Sequence, residues 1–149
     1  MPDFHLAHAN VARMRTSIDA PIMEGFVARL DPLNETADSS PGFVWRHITA
    51  EGDTTEAQVF DDEFVLFNMS VWESIKALED YAYRSNHVAA VRKRANWFEP
   101  ASRAPLVLWW IEVGHIPTVQ EAKSRFDILW KDSSSAAAFT FRLPFPPEG

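Results

Sequence analysis

The chain predicts an α+β fold, an antiparallel sheet carrying helices, on three observations. Phe4 to Val11 and Phe64 to Trp72 divide into two faces with the period of two that a strand imposes, and Phe43 to Thr49 and Leu106 to Val113 are further strand-like runs set off by turn residues. The segments between them space apolar residues by three and four, as a helix does. The resulting order is β-α-β-β-α-β, the ferredoxin-like split βαβ arrangement, followed by an extra C-terminal helix and a short strand. A length of 149 residues, 46% of them hydrophobic and 23% charged, suits a single domain over 1–149 with its own core.

The first strand is expected over Phe4 to Val11, with Phe4, Leu6, His8 and Asn10 on one face and His5, Ala7, Ala9 and Val11 on the other. Asp19 and Pro21 announce a helix, and Met23, Phe26, Val27, Leu30 and Leu33 form its apolar stripe until Pro32 disturbs it. After the turn residues at 39–42, Phe43 to Thr49 reads as the second strand. The acidic stretch 50–62 reads as a hairpin connection with a short strand near Val59. Phe64 to Trp72 is the strongest strand. Val65, Phe67, Met69 and Val71 lie on one face, and Leu66, Asn68, Ser70 and Trp72 on the other. Glu73 or Ser74 opens a helix with Ile75, Leu78 and Ala82 inward. Ser85 and Asn86 cap a further helical segment that carries His87, Val91, Ala95 and Phe98 on one stripe and ends at Pro100. Leu106 to Val113 is the next strand. Thr118 and Glu121 have the spacing of a capping box, which starts a helix with Ala122, Phe126 and Leu129 buried. Ala138 to Arg142 is the expected short last strand.

Composition removes whole classes of function. With no cysteine, a disulfide scaffold, a thiolate nucleophile, a cysteine-ligated zinc and an iron–sulfur cluster are excluded. Fourteen Lys and Arg against 21 Asp and Glu give a formal charge of −7, which argues against nucleic acid as a partner. The longest apolar stretch, Leu106 to Ile111, is too short to span a bilayer, and residues 1–14 lack the apolar run of a signal peptide, so no membrane and a cytoplasmic location are expected. No glycine-rich phosphate loop and no Gly-x-Ser-x-Gly elbow occur. His5 and His8 fall on opposite strand faces, and neither they nor His47 and His115 have a metal-binding spacing, so no metal is expected. Arg92, Lys93 and Arg94 read as a solvated helical face.

A sheet with helices on one face leaves the other bare, yet both faces here carry large apolar residues, Trp45, Trp72, Trp109 and Trp110 among them. The remedy expected is a homodimer in which two sheets face each other around a shared barrel. Within it, Asn68 and Ser70 are polar groups on an aromatic strand face, with His8 and Asn10 on the first strand and Trp110 and Glu112 on another. Such a lining suits a small aromatic or polycyclic ligand, with Trp72 as a wall. The plainer alternative is that Asn68 and Ser70 satisfy each other and the backbone.

The strings HLAHANVARM, GFVWR, LFNMSVWESIKAL, YAYRSNHVAAVRKRANWFEP, LWWIEVGHIPTVQEAKSRF and AFTFRLPFP, in that order, resemble a bacterial family described as a domain of unknown function. That family is placed with the dimeric α/β-barrel superfamily, near the antibiotic-biosynthesis monooxygenases. The resemblance implies one of several activities: cofactor-independent monooxygenase, isomerase or cyclase, haem-binding or haem-degrading protein, or ligand binder without catalysis. It places His87 in the helix where haem-degrading relatives carry an axial histidine, although counting on from Val71 and Trp72 puts that residue nearer Val91 or Arg92. Asn10 falls where relatives carry a polar, oxygen-orienting residue, and Tyr81 where one carries a tryptophan. The expected chemistry uses no bound cofactor, with haem as the alternative. In that scheme His87 handles a proton with Tyr81, Asn10 orients the reaction, and His8, Asn68, Ser70, Trp72, Trp110 and Glu112 contact the substrate. The structural alternative for His87 is a half-buried histidine bonded to a neighbouring carboxylate or carbonyl.

Overall fold

The computed structural model describes residues 4–16, 20–24, 35, 37–48, 54–62, 64–85, 97–100 and 103–147. Four strands, β1 (Phe4–Arg13), β2 (Phe43–Arg46), β3 (Val65–Trp72) and β4 (Leu106–Glu112), form one antiparallel sheet in the order β2-β3-β1-β4. The two strands joined through the first crossover are thus separated by β3, and β4 returns beside β1, as the ferredoxin-like order requires. Three helices accompany them: α1 (Thr55–Phe60), α2 (Ile75–Ser85) and α3 (Val119–Asp132). The helix expected after Asp19 begins with a 3-10 turn, Pro21–Met23, and its stripe from Phe26 to Leu33 lies outside the described residues.

The expectation of a short strand near Val59 is corrected: that stretch is helix α1. Gln58 Nε2 donates to Thr54 Oγ1 across one turn (3.0 Å), and Asp61 ends the helix in the left-handed region at φ 54°. The turn puts Val59 and Phe60 against the core, so strand pairing is not needed to bury them. The last strand is corrected too. Phe139 makes one antiparallel bridge to Leu108, two backbone hydrogen bonds of 2.7 and 2.9 Å, and the segment then turns.

The sheet is covered on both faces by its own chain. On the face of Ala7, Ala9, Met69 and Trp109, α3 buries Val119, Ala122, Phe126 and Leu129, and α1 adds Phe60. On the opposite face, Leu6, Trp72 and Leu108 pack with Leu78 of α2, Ala37 and Phe139. The extra C-terminal helix therefore closes the face that the sequence reading left bare. It also explains why both strand faces are apolar without a second sheet.

Candidate functional site

The strand register assembles a polar band in the middle of the face shared by Leu6 and Trp72. His8 stands opposite Ser70, and on the next rung of that face Asn10 stands opposite Asn68. Leu108 and Leu106 flank these rungs from β4. Apolar clusters close both ends of the band. Leu6, Trp72, Leu78 and Phe139 lie at one end, and Met14, Met23, Trp97 and Phe98, joined by Ala12 and Leu66, at the other. Between them Asn10 is half-buried and Asn68 is exposed. Among the described residues, an exposed amide thus sits between two buried apolar clusters.

A buried hydrogen-bond chain lies one rung away, at His8 and Ser70. Trp72 is fully buried, stacked on Tyr81 (ring centroids 5.0 Å, 26°) and met edge-on by Phe43 (5.4 Å, 80°). Its indole N–H has to find a partner inside the protein, and Nε1 donates to Ser70 Oγ at 2.8 Å. Ser70 Oγ lies 3.2 Å from His8 Nδ1. The assignment that uses each donor once has the Ser70 hydroxyl donating to Nδ1, which leaves the proton of a neutral His8 on Nε2. Among the described residues no hydrogen bond occupies Nε2.

His8 is only 6% exposed, and burial alone drives its pKa from the ordinary 6.5 down to about 4. Charging it at pH 7 costs about 4 kcal/mol, three pH units at roughly 1.4 kcal/mol each. The group is therefore a neutral hydrogen-bonding pole, poorly suited to carrying a proton.

The other expected site residues divide. Tyr81 lies on Trp72, at the apolar end of the band. Trp110 shares the face, but its Nε1 donates to the carbonyl of Phe145 (2.8 Å), so it anchors the C-terminal segment. Glu112 pairs with Phe4, six residues along β1 from Asn10, which is about 20 Å away, and it is exposed. It does not join the site. His87 lies outside the described residues. His47 and His115 are engaged elsewhere, with Glu56 at 2.9 Å and with Glu121 at 2.7 Å.

Sequence reasoning missed a groove on the Ala7 side of the sheet. Two cavities of about 360 and 430 Å³ meet there at Arg103, Ala104 and Trp130. No local pattern could have paired Arg103 with Trp130, which are brought together only by the packing of α3. No histidine, tyrosine or methionine lines either cavity, so the described residues do not fit a haem there. Among the described residues no group of three or more His, Cys, Asp or Glu could hold a metal ion, and no helix is long and apolar enough to cross a membrane.

Comparison with known proteins gives a family and one solved structure of weak similarity. Residues 5–149 match the model of a family described as "Domain of unknown function (DUF3291)". A crystal structure from Chloroflexus aurantiacus J-10-fl, of a protein provisionally named an antibiotic biosynthesis monooxygenase, aligns at 14% identity with a TM-score of 0.43. The alignment covers 77% of this chain and 98% of that one. No curated protein gives a significant match.

Proposed function

The chain belongs to this family, DUF3291, and from that premise we propose that it binds a small, neutral, planar aromatic or polycyclic metabolite in the notch over His8, Asn10, Asn68 and Ser70. The observation that carries the reading is the buried Trp72–Ser70–His8 chain, which holds an uncharged imidazole beside two amides between apolar walls. Apolar surroundings with few, fixed polar groups favour a ligand that is mostly ring and carries one or two hydroxyl or carbonyl groups. An ionised ligand would lose its hydration there without gaining a counter-charge from His8.

Chemistry at this site would be cofactor-independent, either oxygenation of an electron-rich ring or an isomerisation or cyclisation by proton transfer. The amides and His8 orient the ring, and the role of proton carrier is not given to His8 because of the cost of charging it. The test is a ligand-observed NMR screen of hydroxynaphthalenes and hydroxyquinones, followed by titration of the best binder. Asn10→Ala and Asn68→Ala are each expected to weaken it by roughly tenfold, the worth of a hydrogen bond lost in a desolvated site. Asn68 is exposed, so its variant should keep the wild-type melting temperature. No binder, or a binder indifferent to both substitutions, overturns the reading; binding without turnover leaves a ligand-binding protein.

A further inference from the structure

On the other face of the sheet, Phe126, Trp130 and Arg103 form a connected aromatic and cationic series. The Phe126 and Trp130 rings stack (centroids 5.0 Å, 27°), and the Arg103 guanidinium carbon sits 3.8 Å from the Trp130 ring centroid. Trp130 Nε1 donates to the carbonyl of Ala104 at 2.9 Å, which ties the backbone next to Arg103 to the same indole. A guanidinium packed on an indole face still has its in-plane N–H groups to offer, as a planar fork, to an anion.

Arg103 also stands between two chemically different lobes. In the lobe of about 360 Å³ the walls include the half-buried Val11, Phe60 and Val65 and the exposed Pro105, with Val11 and Phe60 packed against the core. Arg13 lies on its rim, paired with both Asp62 and Glu99, so those two carboxylates are already committed. In the lobe of about 430 Å³ Arg103 is, among the described residues, the sole ionisable side chain, accompanied by the hydroxyls of Ser133, Ser134 and Thr140. Among the described residues Arg103 has no carboxylate partner.

We infer that this groove binds a small organic monocarboxylate, with its carboxylate on the Arg103 fork among the three hydroxyls and its apolar body against Val11, Phe60 and Val65. Charge decides the ligand's class. The hydroxyl lobe carries an unmatched positive charge, while the Arg13, Asp62 and Glu99 rim sums to −1 and repels a second carboxylate at the far end. The competing role for Arg103 is structural, because α3 ends beside it and the negative end of that helix favours a cation. This site is on the opposite face from the notch and does not depend on it.

The experiment is calorimetric titration of the full chain with 1-naphthoate and with its uncharged counterpart, 1-naphthalenemethanol. Naphthoate should bind saturably and the alcohol at least about tenfold more weakly. Arg103→Gln should remove that preference, while Lys123→Gln, which deletes an equal charge from α3 at a residue that pairs with Asp127 and lines neither lobe, should leave it intact. Arg103→Lys keeps the cation at the helix end but lacks the planar fork, so it should fold and still lose several-fold in affinity. Equal binding of the two probes, no binding of naphthoate, or full naphthoate affinity in either Arg103 variant would overturn the inference. A drop in melting temperature with unchanged naphthoate binding would assign Arg103 to the helix end alone.

Discussion

At the scale of single residues, the molecule's most consequential feature is one imidazole kept out of water. Because the folded pKa of His8 lies near 4 and the unfolded value near 6.5, the unfolded chain takes up the proton first as pH falls. The contribution of neutral His8 is complete above pH 6.5 and is lost progressively down to about pH 4. Between pH 7 and pH 5 this one group should remove about 2 kcal/mol of stability. His8→Asn should lack that component, so urea unfolding of both proteins at the two pH values isolates it; identical pH slopes would contradict the burial of a neutral imidazole. Strand alternation was enough to place His8, Asn10, Asn68 and Ser70 on one face, because a period of two leaves little freedom. The bond between His8 and Ser70 was not legible, since it depends on which residue of β3 stands opposite each residue of β1. The distance of Glu112 from these rungs was hidden for the same reason: it shares the face, and only the register shows that it stands at the far end.

At the scale of elements, local signals worked where the chain satisfies its own backbone and failed where tertiary packing decides. Thr118 accepts from the backbone N–H of Glu121 at 3.1 Å, as the capping-box spacing predicts. The return half of that box is absent, because the Glu121 carboxylate is spent on Trp109 Nε1 (2.9 Å) and His115 (2.7 Å). Thr118→Ala should accordingly cost about 1 kcal/mol in chemical unfolding, the loss of a single cap bond. A loss near zero would mean that Glu121 and the buried face of α3 fix the helix start by themselves. Helix α1 shows the opposite case. Its six residues include β-branched Thr55 and Val59, which favour a strand on propensity, and the core contact of Val59 and Phe60 overrides it.

Over the whole molecule, the expectation least well founded in the sequence was that one sheet face stays open. The aromatic residues on both strand faces were read correctly, and their cover was assigned to a second copy because the reach of the C-terminal third is not a local property. In the structure α3 and the segment through Phe145 close over opposite faces of the same sheet. Within the face of Leu6 and Trp72, His8, Asn10, Asn68 and Ser70 interrupt the apolar layer, and the proposed function rests on that band being built around an uncharged histidine. Imidazole nitrogen NMR of the protein from pH 8 to pH 4, with His8→Asn to assign the signal, measures this directly. The account predicts that His8 keeps its proton on Nε2 and stays neutral until about pH 4. A His8 that titrates near pH 6.5, like an imidazole in water, would show that the buried chain is not formed, and with it the proposed binding notch would fall.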